Sequence, residues 1–173
     1  MRKLLMLSGM LALLIVTGCA SVSVQTDFDQ DADFSAYHTY RWMPPREGRA
    51  DRSPFDNDLN RKRIHEAVDR ELAAKGYTIA ETEEPDILIT YHIGLHDRVE
   101  VATYGYGTWR RPYHREVYHY KESTLILDMV DRELKQLVWR GAGKGVIGRF
   151  DDIDKRINDA VVAVLKDFPP QEK

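Results

Sequence analysis

The chain reads as an α+β protein: a single domain with a largely antiparallel sheet and two amphipathic helices packed on one face. Three observations carry that expectation. Ile64, Ala67, Val68 and Leu72 recur at helical spacing, and so do Ile153, Ile157, Ala160, Val161, Val164 and Leu165. Other short segments alternate apolar and polar residues with the period of a strand. These strand-like segments mostly follow one another without a helix between them, which favours hairpins in a layered α+β arrangement.

Taken in order, residues 22–28 (VSVQTDF) alternate as a strand, followed by an acidic turn at 29–33. Residues 39–42 (TYRW) form a second strand, closed by Pro44 and Pro45, and a charged loop covers 46–57. A helix runs from about Asp58 to Lys75, with Asn57 or Asp58 as its cap and Gly76 as its stop. Residues 77–80 make a short strand. The clearest strand is 86–93, with Ile87, Ile89, Tyr91 and Ile93 on one face. Residues 123–130 form another, with Leu125, Leu127 and Met129 together. A turn at 131–135 brings back 136–140 as its hairpin partner. The last helix covers about Asp152 to Lys166 and ends before Pro169 and Pro170.

The front of the chain sets the expected compartment. Arg2 and Lys3 precede an apolar run from Leu4 to Val16, which is short of the roughly 20 residues of a membrane span and reads as a signal peptide over 1–18. Val16-Thr17-Gly18-Cys19 resembles the bacterial lipobox, so Cys19 is the expected site of lipid attachment. Residues 19–21 then form a tether of roughly 10 Å to a domain spanning 22–170. Ala20, where inner-membrane retention would place Asp, points by resemblance to the outer membrane, facing the periplasm. Cys19 is the sole cysteine, so lipidation would leave no thiol for a disulfide, zinc or a nucleophile.

Charge and compartment narrow the function. Without Arg2 and Lys3, 23 of the 25 basic residues remain against 28 acidic ones, which does not suit nucleic-acid binding. The segment 143–148 (GKGVIG) matches a dinucleotide fingerprint, but Arg149-Phe150-Asp151-Asp152 separate it from the next helix and no Ser or Thr follows Lys144. Its glycines are expected to permit a twisted strand end and a loop, with no nucleotide and no other cofactor. No metal site is expected either. His92 and His96 would stand about 13 Å apart along a strand, whereas zinc holds nitrogens at about 2.0–2.1 Å. A cross-strand site joining His96 to His114 or Glu122 is the one arrangement left open. Asp86, Glu122, Asp128 and Asp131, and the serines Ser35, Ser53 and Ser123, sit in no catalytic motif, so no catalytic residue is assigned.

Residues 101–120 (VATYGYGTWRRPYHREVYHY) hold five of the chain's nine tyrosines. Glycines and Pro112 suggest one long hairpin with its tip near 108–112. Tyr104, Tyr106, Trp109, Arg110, Arg111 and Tyr113 are the candidate interaction surface, because such residue types dominate interface energetics and suit headgroup depth near a membrane. The alternative is that several of these rings simply cover one face of the sheet.

Four stretches resemble a known family, the bacterial lipoproteins that carry domain of unknown function 4136. They are DADFSAYHTYRW (31–42), AVDRELAAKGY with PDILITYHIG (67–94), ESTLILDMVDRELKQLVWRGAG (122–143) and RINDAVVAVLKDFPP (156–170). Ser123 stands where the family usually has Gly. The resemblance implies an α+β fold and a lipid-anchored envelope location, and it supplies no activity. The expected role is a non-enzymatic interaction or structural module at the outer membrane, with an envelope protein, a lipid headgroup or a glycan as partner. The alternative is a periplasmic hydrolase acting on cell-wall or lipid substrate.

Overall fold

The structure is a computed structural model describing residues 22–44, 53–81, 84–104, 114–148 and 151–170. Its strands are β1 (Ser23–Phe28), β2 (Thr39–Trp42), β3 (Thr78–Ile79), β4 (Ile87–Tyr104), β5 (His114–Asp131) and β6 (Gln136–Ile147). Its helices are α1 (Asp58–Ala74) and α2 (Ile153–Leu165), with a single 3-10 turn at Phe34–Ala36. The strands form one sheet in the order β1-β6-β5-β4-β2-β3. The α+β expectation holds, with one refinement. β2 runs parallel to both β3 and β4, so the sheet is mixed at one end. The crossover through α1 between β2 and β4 allows this, because parallel neighbours need a long connection.

Both helices start where their sequences say. The Asn57 side chain accepts the Asn60 amide at 3.0 Å, and Asp152 accepts the amides of Asp154 and Lys155 at 3.0 and 3.3 Å. Gly76 ends α1 at φ +90°, where a side chain would be strained. Ile64, Ala67, Val68 and Leu72 of α1 and Val161, Val164 and Leu165 of α2 are fully buried. They share one cluster with Tyr40, Ile87, Ile89, Leu125, Leu127, Met129 and Trp139. The expected faces of β4 and β5 are therefore the core face. Each fully buried Val, Leu, Ile or Met among them contributes about 1.5–3 kcal/mol.

Three strands outrun their expected lengths. β4 continues past Ile93 to Tyr104, β5 begins at His114 instead of Ser123, and β6 continues past Arg140 to Ile147. β4 and β5 pair one-to-one over 18 residue pairs, from Ile87↔Asp131 to Tyr104↔His114. β6 leaves β5 earlier, at Lys121↔Ile147. Beyond that point, Arg98–Tyr104 and His114–Tyr120 form a two-stranded ribbon of seven pairs, roughly 24 Å long.

The glycines of β6 correct the sequence reading. Gly141, Gly143 and Gly145 lie within the strand, which ends at Ile147 just before Gly148, and Gly141 and Gly143 make room for α2. A Cβ at Gly141 would fall 2.5 Å from Val164 Cγ1 and into the Trp139 ring, and one at Gly143 would fall 2.7 Å from Val164 Cγ2. Packing of a helix on a sheet explains Gly141 and Gly143.

Candidate functional site

The expected interaction surface is only partly described. Tyr104 ends β4 opposite His114, so the long hairpin exists and its connection is 105–113. Tyr106, Trp109, Arg110, Arg111 and Tyr113 belong to that connection and lie outside the described residues, as does Cys19. The expected tip near 108–112 falls inside the connection.

The sequence candidates for chemistry are spread apart, and each is engaged in the fold. Burial opposes ionisation of Asp86, yet the amides of His38 and Thr39 and the Thr39 hydroxyl hold its carboxyl below the ordinary range. Those bonds of 2.8–2.9 Å tie β2 to the start of β4. Asp131 accepts the Tyr37 hydroxyl at 2.8 Å and the Leu134 amide at 2.7 Å, closing the β5–β6 turn. Glu122 takes Arg98 at 3.0 Å. Ser35 donates to Asp33, Ser123 donates to the Gly145 carbonyl, and Ser53 accepts the Phe55 amide.

The histidines do not converge. His96 faces Glu122 directly in the register, while His114 sits eight positions farther along, opposite Tyr104. Among the described residues no cluster of three His, Cys, Asp or Glu could hold a metal ion.

A concavity of about 910 Å³ opens where β2 stops and the edge of β4 is left bare. It wraps from one face of the sheet to the other. On the helix side, the His65 ring stacks on Trp42 with centroids 3.8 Å apart and planes within 4°, and Tyr91 meets both rings edge-on. Burial lowers the His65 pKa, so this ring is held neutral. Tyr91 donates to Asp56 at 3.0 Å, and the Trp42 indole and the Tyr40 hydroxyl both donate to Asp69 at 2.9 Å. Burial, reinforced by that carboxylate, pushes the Tyr40 hydroxyl up, so it stays a donor.

On the other face, Asp128 is only 5% exposed although no helix covers it among the described residues. Arg140, directly opposite on β6, grips it with two bonds of 2.6 and 2.7 Å, and His92 Nε2 lies 3.5 Å away. The Asp128 carboxylate raises the Arg140 pKa, as a bidentate ion pair should. The lining therefore offers flat aromatic rings beside fixed charges. That chemistry suits recognition, since its carboxylates are already committed to Arg and Tyr partners.

Sequence reasoning missed Trp42, Asp56, His65 and Arg140 as lining residues. Asp56 stands in the loop before α1, His65 on α1, Trp42 at the end of β2 and Arg140 on β6; only the crossover and the register bring them together.

Comparison with known proteins agrees with this architecture. The chain is similar over 88% of its length, with 15% identity and a TM-score of 0.59, to a PDZ domain protein from Parabacteroides distasonis, of which it spans only 37%. It is also similar, with 11% identity and a TM-score of 0.50, to PelC from Paraburkholderia phytofirmans, solved as a dodecamer; 84% of this chain and 95% of that one are covered. At these identities the likeness is one of fold. No curated protein matches. The sequence profile described as "Domain of unknown function (DUF4136)" matches residues 24–170, and the chain belongs to that family.

Proposed function

We propose that this protein is a lipid-anchored module of the bacterial envelope, held by Cys19 on the periplasmic side of the outer membrane, whose work is interaction and not catalysis. The observation that carries this reading is the two-stranded ribbon of seven pairs extending beyond the reach of β6. Its connection supplies Tyr106, Trp109, Arg110, Arg111 and Tyr113 beside Tyr104. β1 starts at Ser23, so three residues separate it from Cys19 and the domain stays within roughly 10 Å of the leaflet. An envelope protein, a lipid headgroup or a glycan at the membrane surface is then within reach. Two measurements test the reading. Metabolic labelling with a fatty acid should mark the wild-type protein and not Cys19→Ala. Replacing Tyr106, Trp109 and Arg110 together with Ala should leave the fold intact and abolish proximity crosslinks in the native envelope; unchanged crosslinks would remove the ribbon from the contact surface.

A hydrolase reading draws on one observation, the His92–Asp128 approach of 3.5 Å inside the concavity. Arg140 already holds both oxygens of that carboxylate. Hydrolysis of a cell-wall or lipid substrate that is lost in Asp128→Asn, with the fold retained, would favour it.

A further inference from the structure

Among the described residues, the outer edge of β4 has no partner strand from Thr90 onward. The last link to β2 is the Met43 amide donating to the Ile89 carbonyl at 2.8 Å. That bond fixes which residues face outward, because antiparallel residues alternate between bonding their neighbour and turning both backbone groups away. The β4–β5 register runs one-to-one to Tyr104, so the alternation is unbroken. Tyr91, Ile93, Leu95, Asp97, Val99 and Val101 therefore present their N–H and C=O groups to the open edge. A ribbon of two strands is marginal in water, and a long unpaired edge is a template for another strand.

We propose that a second copy of this chain occupies this edge, pairing β4 antiparallel to β4 about a two-fold axis at Val99. Parity and charge select this partner and this register. Outward-bonding residues must oppose one another, so odd-numbered residues face odd-numbered ones. An axis at Asp97, Arg98 or Glu100 sets that residue against the same charge. An axis at His96 or Val101 leaves Arg98 opposite Gly94 or Tyr104. An axis at Val99 sets Arg98 opposite the partner's Glu100, and Glu100 opposite the partner's Arg98. Both belong to the pairs without backbone bonds, whose side chains stand closer. Among the described residues the Glu100 side chain has no hydrogen bond or ion pair, while Arg98 holds Glu122 through Nε and Nη2 and keeps Nη1 for a second carboxylate. Val99, 59% exposed in one copy, would meet its own symmetry mate. The same charges repel other registers, which is how a bare edge avoids indiscriminate pairing.

The test uses the full-length chain in detergent, with molar mass by light scattering and crosslinking by oxidation. Wild type should be a dimer. Val99→Cys should link two copies, since directly opposite Cα atoms about 5.5 Å apart lie within disulfide range. Ala102→Cys should not link, and the parent chain controls for the thiol of Cys19. Glu100→Arg, an exposed change whose fold circular dichroism can verify, should weaken association about tenfold, as should Arg98→Glu. An equimolar mixture of those two variants should associate again, because each supplies the charge the other needs. A monomer at every concentration, a Val99→Cys chain that does not link, or a mixture that stays apart would overturn the proposal.

Discussion

The body of the sheet and the ribbon at its end are built from the same two strands, yet they obey different physics. From Ile87 to Ile93, every second residue of β4 packs against the core under α1 and α2, and Ile87 and Ile89 are essentially inaccessible. From Arg98 to Tyr104 the backbone pairing is equally regular, but Val99, Val101 and Val117 are more than half exposed. Backbone regularity and burial are therefore separable: the ladder continues where the hydrophobic core has ended. The body is held by packing and the ribbon mainly by its backbone ladder, with Arg98 tied to Glu122, which places the ribbon among segments that open locally at low cost.

The largest test of this contrast is a pair of truncations. Leu127→Ala in the body should destabilise the fold by about 3 kcal/mol in denaturant titration, whereas Val101→Ala in the ribbon should cost under about 0.5 kcal/mol in a monomeric sample. Comparable costs would mean that the ribbon is buried in solution. Next, Gly141→Ala forces a methyl into Trp139 and Val164, so the unfolding midpoint should drop by the equivalent of about 2 kcal/mol. Gly145→Ala, with nothing within 4 Å, should cost far less.

Asp86 sharpens the comparison at the seam between β2 and β4. Its folded carboxyl titrates below the unfolded value of 3.8, so its contribution is complete above that pH and is lost as pH falls through the folded value. Asp86→Asn should lower stability at neutral pH by about 1–2 kcal/mol and flatten the loss of stability below about pH 4. Hydrogen exchange of the ribbon amides should not respond to the substitution. The smallest effect is expected at the β5–β6 turn, where Lys135 adopts φ 55°. Lys135→Gly should raise stability by up to about 1 kcal/mol, because glycine accepts that conformation without strain.

Where a segment touches the core, its sequence disclosed its structure. The apolar stripe of α1, its Asn57 cap and Gly76 stop, and the alternation of Ile87 to Ile93 all carry a periodicity imposed by one covered face. The ribbon has no covered face, so Arg98 and Glu100 carry no such period; glycines and Pro112 suggested the long hairpin, but its register and the start of its strands could not be read. β6 hid its length in the same way: Gly141 and Gly143 look like a break until α2 is placed on them. The concavity was legible only in fragments, because Trp42, His65 and Arg140 are brought together by a crossover and by register.

The residues alone determined the fold class, the two helices, the core positions and the family. These follow from local periodicity and from motifs that need no distant neighbour. Tertiary structure decided the parallel placement of β2, the reach of the hairpin, the grip of Arg140 on Asp128 and the bare edge of β4. Each of those depends on which strand lies beside which, and strand order is set by long-range packing that no local pattern encodes.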